Sequence, residues 1–400
     1  MDFKNQPIMN IGMLGSVSDG KSTTVLKLTG TKTQKHSSEL KRNITIKPGY
    51  ANMKIYNNNG ELLSCGSNQS LTGDLVHHLS FVDCPGHNEL ILTMLANIDL
   101  MKGAIVIVSA AEPIIKKPQL IQHLMAIKIA KMKNIIICLN KLDLVSKDIA
   151  LKRKKELDQL LEKLEVIPKA IIPVCMNRNI GINNLLKEIM NIFPANKQIK
   201  TEIPQFRISR SFDVNKNNTD INNITGGILG GSLISGNLSV GDEIEIKPGI
   251  ISKDDKGNII ATPIISTINS LKTDDTELES IHTGGLIGIG TNIDPFYCKN
   301  DNMIGNIVGL KGTLPRIFTN IKIKFTKQEF TKINWEPKVG EVLNLMISTL
   351  SLNAKLTNIS SNILSLTLEK PACIDEDMMI VISKIINKGI YIIGYGYIYL

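Results

Sequence analysis

The amino-acid sequence predicts an α/β domain with a mainly parallel sheet, followed by two all-β barrel domains. Three observations predict it. Short apolar runs alternate with helical stretches over residues 1–200. After Pro204 they give way to polar–apolar alternation of strand period. Glycine-rich turns punctuate that second half, where no long helical period survives. At 400 residues the chain also exceeds what one core usually serves, because single cores stop growing near roughly 250–300 residues. The expected divisions are 1–200, 203–313 and 314–400, with a joint near Gly312-Thr313-Leu314-Pro315.

Taken in order, Ile8 to Leu14 reads as a buried strand and Ser22 to Leu28 as the start of a helix. Leu79 to Asp83, Ala104 to Ser109, Ile135 to Asn140 and Ala170 to Cys175 are further short apolar strands. Leu157, Leu160, Leu161 and Leu164 follow amphipathic helical spacing, and Lys152-Arg153-Lys154-Lys155 reads as that helix's solvated face. Strands joined by helical crossovers imply a parallel sheet covered on both faces. Beyond Pro204, Glu243 to Lys247 and Ile321 to Phe325 alternate polar with apolar, between turns such as Gly226-Gly227, Gly230-Gly231 and Gly284-Gly285.

Composition narrows the function classes. Apolar residues make up 42% and charged residues 21% of the chain, as in globular proteins, and no apolar run is long enough to span a membrane. The opening Met1-Asp2-Phe3-Lys4-Asn5-Gln6 has no apolar core before a small-residue cleavage site, so no secretory signal and a cytoplasmic location are expected. The six cysteines stand singly, Cys65, Cys84, Cys138, Cys175, Cys298 and Cys373, which indicates neither a disulfide framework nor a zinc ribbon. A net charge of +9 favours an acidic partner such as RNA. Charge alone does not decide it.

The motifs do. Gly15-Ser16-Val17-Ser18-Asp19-Gly20-Lys21-Ser22 matches the phosphate-loop pattern G-x-x-x-x-G-K-[ST] between a strand and a helix, the context that pattern requires. Gly15, Ser18, Asp19, Gly20, Lys21, Ser22 and Thr23 are the candidate phosphate-binding residues, with backbone amides cradling phosphate oxygens at a helix N-terminus. Lys21 supplies a charge to the β- and γ-phosphates, and the Ser22 hydroxyl can ligate Mg²⁺. Asp83-Cys84-Pro85-Gly86 follows a strand, so that Asp83 can hold Mg²⁺ through water and the Gly86 amide can meet the γ-phosphate. Asn140-Lys141-Leu142-Asp143 ends another strand, and the Asp143 carboxylate can accept from guanine N1–H and the exocyclic amine. Thr45 lies where a switch threonine would reach Mg²⁺ only when a γ-phosphate is present. That order of motifs belongs to GTPases, with GTP or GDP and Mg²⁺ as ligands.

Longer segments carry a closer resemblance. Arg42-Asn43-Ile44-Thr45-Ile46-Lys47, Gly49-Tyr50-Ala51-Asn52 and Val82-Asp83-Cys84-Pro85-Gly86-His87 resemble the gamma subunit of eukaryotic and archaeal translation initiation factor 2. So do Arg210 to Lys216, Gly241 to Ile250, Gly284 to Thr291 and Gly394-Tyr395-Gly396, so the resemblance covers nearly the whole chain. It implies a GTPase domain followed by two β-barrels, and a heterotrimer with alpha and beta subunits. It implies delivery of methionyl initiator tRNA to the small ribosomal subunit, with GTPase-activating and exchange factors as further partners. His87 would orient the attacking water, and Asn43 and Tyr50 are candidate tRNA contacts. Tyr50 would stack on the terminal adenine, worth about 1–3 kcal/mol, or would simply pack in a strand.

The chain departs from the family pattern at several points. The family's loop carries histidines where this chain has Ser16 and Asp19. A carboxylate on an anion-binding loop is expected to be tolerable only if it points to solvent. The last guanine element, Ser-Ala in the family, is Cys175-Met176-Asn177 here; a backbone amide does its usual work. Most members carry a zinc knuckle, but Asn57 to Gly73 offers only Cys65, so no zinc is expected. Two other readings stand beside this one: an elongation-type aminoacyl-tRNA carrier, and a non-hydrolysing GTP-binding assembly scaffold. Asn43, where elongators usually have glycine, argues against the former; intact Lys21, Thr45, Asp83 and His87 argue against the latter.

Overall fold

In the computed structural model, which describes residues 4–33, 49–85, 94–95, 97–194, 202–216, 220, 223–328, 335–386 and 389–399, the apolar runs of the first half are strands. They are β1 (Asn10–Leu14), β2 (Gly49–Asn58), β3 (Glu61–Gly66), β4 (Asp74–Asp83), β5 (Gly103–Ser109), β6 (Ile135–Asn140) and β7 (Ala170–Pro173). The sheet order is β3-β2-β4-β1-β5-β6-β7. β4, β1, β5, β6 and β7 run parallel, whereas β2 pairs antiparallel with β4 and β3 antiparallel with β2. The helices are α1 (Lys21–Thr29), α2 (Pro118–Ile129), α3 (Lys147–Leu164) and α4 (Ile182–Ile192).

Both sheet faces are apolar, which is why β1 and β5 are buried at every position. Ile11, Met13, Ile105, Ile107, Ile136 and Cys138 share one core with Val25 and Leu28 of α1 and Leu185 and Ile189 of α4. Leu14, Val106 and Val108 alternate to the opposite face by the strand pleat and are buried too. In α3, Leu157, Leu161 and Leu164 are buried, and Ser146 caps the start by accepting from the Ile149 amide. The basic run at its start carries ion pairs, Arg153–Glu156 at 2.7 Å and Lys154–Asp158 at 2.7 Å. α1 ends at Gly30, whose φ of 70° places it in the left-handed region that closes helices.

The chain divides into two compact units, Met1–Met94 with Ile98–Gln198, and Leu95–Asn97 with Ile199–Leu400. The second unit is built from strands. Its first sheet contains β8 (Gln205–Phe212), β9 (Ile228–Ser235), β11 (Glu243–Lys253), β12 (Ile259–Thr273), β13 (Thr276–Leu278), β15 (Ile287–Thr291) and β16 (Ile307–Leu310). β10 (Leu238–Ser239) pairs separately with β14 (Ser280–Ile281). Pairing of β11 with β12 joins the two ends of the run β11-β16-β8-β9-β15-β12 and closes it into a barrel. Phe206, Ile208, Leu229, Ile244, Ile246, Ile287 and Ile289 fill the interior.

A second closed barrel follows, in the order β17-β20-β19-β18-β21-β22. Its strands are β17 (Ile317–Lys327), β18 (Val342–Ile347), β19 (Leu350–Ser360), β20 (Ile363–Cys373), β21 (Ile380–Ile386) and β22 (Gly389–Ile398). The alternation expected at 321–325 is observed: Ile321 and Ile323 are buried while Lys322 and Lys324 are exposed. Closure leaves neither barrel an unpaired edge to template association, which helps explain why strands of this length stay soluble as folded units. Within this unit Gln205 Nε2 donates to Asp375 Oδ2 at 2.9 Å.

Candidate nucleotide site

Parallel strands end on one edge of a sheet, so whatever follows them meets there. The segment from Gly15 follows β1, Asp83 closes β4, Ser109 closes β5, Asn140 closes β6, and Cys175 comes just after β7. The registers Met13↔Asp83, Leu14↔Val106 and Ser109↔Asn140 hold these ends level. Sequence motifs up to 160 residues apart are thereby brought together.

The loop is shaped by its glycines. Gly15 has φ 133°, and a Cβ there would sit 2.1 Å from the Ile107 carbonyl oxygen. Gly20, at φ 105°, caps α1 with no side-chain cap and no acidic residue in the first turn. That leaves the positive end of the helix facing the loop without a built-in anion, which suits phosphate. Lys21 is buried, and its Nζ donates to Gly15 O at 2.9 Å and Ser16 O at 2.8 Å. Burial lowers its pKa, opposed by the charges of Asp83 and Asp19. Ser22 Oγ donates to Asp83 Oδ2 at 2.7 Å, and Thr33 Oγ1 donates to the same oxygen at 2.6 Å. Hydroxyl and carboxylate oxygen therefore converge at one point, a hard-donor set that fits Mg²⁺. Thr23 is half-buried beside them, and Ser18 is exposed at φ 62°.

Asp19 corrects the expectation of a solvent-facing carboxylate. It is 1% exposed. Its Oδ2 accepts from the Ser16 amide at 2.9 Å and its Oδ1 from the Ser109 amide at 3.2 Å. Lys117 Nζ pairs with the same Oδ1 and donates to Ser109 O at 3.3 Å. A buried charge is tolerable when paired and hydrogen-bonded, and here it is both.

On the opposite flank of the loop, Asn140 is a tie. Its Nδ2 donates to Asp19 O at 3.0 Å, and its Oδ1 accepts from the Met176 amide at 3.2 Å. Lys141 turns the chain at φ 62°, which brings Asp143 to the surface. A hydrogen bond from the Cys175 thiol holds the Asp143 carboxyl below its usual range, helped by Arg178 and Lys141; Arg178 Nε is 3.4 Å away. Cys175 and Met176 are buried and Asn177 is exposed. The Cys175 amide donates to Ile180 O at 3.0 Å.

Sequence reasoning missed the layer behind the loop. The Gly15 amide donates to His123 Nδ1 at 3.0 Å, so that nitrogen is unprotonated. Burial, then the Lys21 charge, pulls the His123 pKa down to about 3. Lys117, His123, Ser109 and Thr33 carry no motif. A lysine before Pro118 looks like any solvated helix start, and only the fold brings it to Asp19, 98 residues away in sequence. Tyr50 lies half-buried in β2 opposite Val82. Asn43, Thr45, Gly86 and His87 lie outside the described residues.

Comparison with known proteins agrees with this geometry. Residues 6–195 match the family model described as the elongation factor Tu GTP binding domain. Residues 319–398 match that for initiation factor eIF2 gamma, C terminal. The eukaryotic translation initiation factor 2 subunit gamma of Encephalitozoon cuniculi is 37% identical over 98% of this chain and 93% of its own length. The chain belongs to the translation initiation factor 2 gamma family. The archaeal translation initiation factor 2 subunit gamma of Pyrococcus furiosus is 38% identical, covering 98% of both chains. Membership makes the chain a translational GTPase that binds GTP and GDP, and a gamma-type subunit of a multi-subunit factor acting in translation initiation.

Among solved structures, a bacterial selenocysteine-specific elongation factor superposes with a TM-score of 0.75 at 22% identity, over 98% of this chain and 58% of that one. Translation elongation factor SelB from Methanococcus maripaludis, solved with the GTP analogue GppNHp, gives 0.74 at 18% identity, over 99% of this chain and 80% of that one. These matches speak to the shared fold of a GTPase domain and two barrels. Among the described residues, no helix is long and apolar enough to cross a membrane.

Proposed function

We propose that this chain, as the gamma subunit of its factor, binds GTP at the edge formed by β1, β4, β5 and β6. In that state it carries methionyl initiator tRNA to the small ribosomal subunit, and it hydrolyses GTP on start-codon selection. The observation that carries the reading is the convergence of the loop at 15–22, Asp83 and Asn140–Asp143 on one sheet edge, in a chain so closely related to gamma subunits.

Each residue's part follows from its position. The amides of the loop and the first turn of α1 hold phosphate oxygens, and Lys21 Nζ exchanges its loop carbonyls for the β- and γ-phosphates. Ser22 and Asp83 hold Mg²⁺, Asp83 through water, with Thr45 as a further ligand. Bound there, the ion supplies neutralising charge for the phosphates. Asp143 accepts from guanine N1–H and the exocyclic amine, with Lys141 beside it, while Asn140 keeps loop and purine wall in register. Cys175, Met176 and Asn177 form the wall facing the guanine O6. The Gly86 amide senses the γ-phosphate, and His87 orients the attacking water. Asn43 and Tyr50 contact tRNA.

The partners in this reading are alpha and beta subunits in a heterotrimer, together with GTPase-activating and exchange factors, in the cytoplasm. The domains are 1–200, 203–313 and 314–400. Filter binding tests it: GTP-loaded protein should retain initiator methionyl-tRNA and release elongator methionyl-tRNA. Equal retention of the two would remove the initiation role.

A further inference from the structure

A carboxylate set into a loop that holds phosphates should repel them, yet Asp19 is built into this loop as a brace. One oxygen takes the Ser16 amide and the other takes the Ser109 amide, so the carboxylate fastens the loop to itself and to the end of β5. Lys21, the other ammonium nearby, is engaged by the carbonyls of Gly15 and Ser16. The cation on the carboxylate is Lys117, and the two side chains are 4% and 2% exposed, too little for water to screen either charge. Lys117 is the residue that opens α2, and His123 of the same helix accepts the Gly15 amide. One helix start therefore holds the loop at residues 15 and 19.

We propose that Lys117 is a positioning residue of the nucleotide site, the internal counter-ion that lets Asp19 brace the phosphate loop without repelling phosphate. The inference rests on assigning residues 15–22 to nucleotide binding. Removing Lys117 leaves an uncompensated negative charge behind the phosphates, whereas removing the Asp19 charge leaves an uncompensated positive one. The two single changes should therefore move affinity in different directions. A purely architectural role for the pair would weaken binding in both.

The test is titration of fluorescent GDP and GTP analogues into the full chain in magnesium buffer, for the unmodified protein, Lys117→Met, Asp19→Asn and the double variant. Lys117→Met should weaken both nucleotides by at least about tenfold. Asp19→Asn should bind as tightly as the unmodified chain or more tightly. The double variant, with an isosteric amide and no buried charge, should recover to within about threefold. Unchanged affinity in Lys117→Met, or equal weakening in all three variants, overturns the proposal. If Lys117→Met does not fold, the shifts of Asp19→Asn and of the double variant decide it in the same way. Failure of the unmodified chain to bind either analogue overturns the assignment of the site itself.

Discussion

Acidification should destabilise the first unit through His123. In the folded chain this imidazole is buried and accepts the Gly15 amide, with its pKa pulled from 6.5 down to about 3. Above pH 6.5 it is neutral whether the chain is folded or not, and its contribution does not change. Below that the unfolded chain takes up a proton that the folded chain refuses, so stability falls as the pH drops from 6.5 toward 3. At about pH 5 almost all unfolded molecules carry the proton and almost no folded ones do, which costs about 2 kcal/mol relative to about pH 8. Burial also lowers the His77 pKa, which acts with the same sign. The comparison that isolates His123 is therefore His123→Asn, which keeps an acceptor near the position of Nδ1 and cannot be protonated.

Two probes separate the units. Helices α1 to α4 all lie in the first, so the helical circular dichroism signal in urea follows it. Trp335, the one tryptophan of the sequence, lies in the core of the C-terminal barrel, and its fluorescence follows that barrel. Between about pH 8 and about pH 5 the dichroism transition of the parent should lose about 2 kcal/mol more than that of His123→Asn, with no such difference in the fluorescence transition. An equal loss in parent and variant would refute the reasoning.

Two further outcomes test the pocket itself. Asp143→Asn should shift preference from GTP toward xanthosine triphosphate in competition binding, because the amide donates where the carboxylate accepts; unchanged selectivity would remove Asp143 from the guanine seat. Gly15→Ala should weaken GDP binding by at least about tenfold, because φ 133° and a Cβ 2.1 Å from Ile107 O impose backbone strain of about 1–3 kcal/mol. Calorimetry showing parental affinity would mean the loop can shift freely.

Much of this was legible in the sequence, for local reasons. The α/β-then-β order shows in the change of hydrophobic period at Pro204, and the loop at 15–22 shows because glycine is required at fixed positions by backbone geometry. The antiparallel β2–β3 hairpin at the sheet's edge was not legible, since Glu61 to Gly66 is a short, mixed run whose strand state depends on pairing with β2. Asp19 was read with the wrong orientation for a related reason. A side chain's partner can lie anywhere in the chain, and here it lies at Lys117.

By itself, then, the sequence determined which residues could meet a guanine nucleotide and the kind of factor the chain belongs to, because motif spacing and backbone-restricted residues act over a few positions. Only the tertiary structure decided what stands behind the loop: Lys117 as counter-ion, His123 as acceptor for Gly15, and Asn140 as the tie between loop and purine wall. Parallel strands bring segments from distant parts of the chain to one edge, and charges buried there take partners that no local pattern announces.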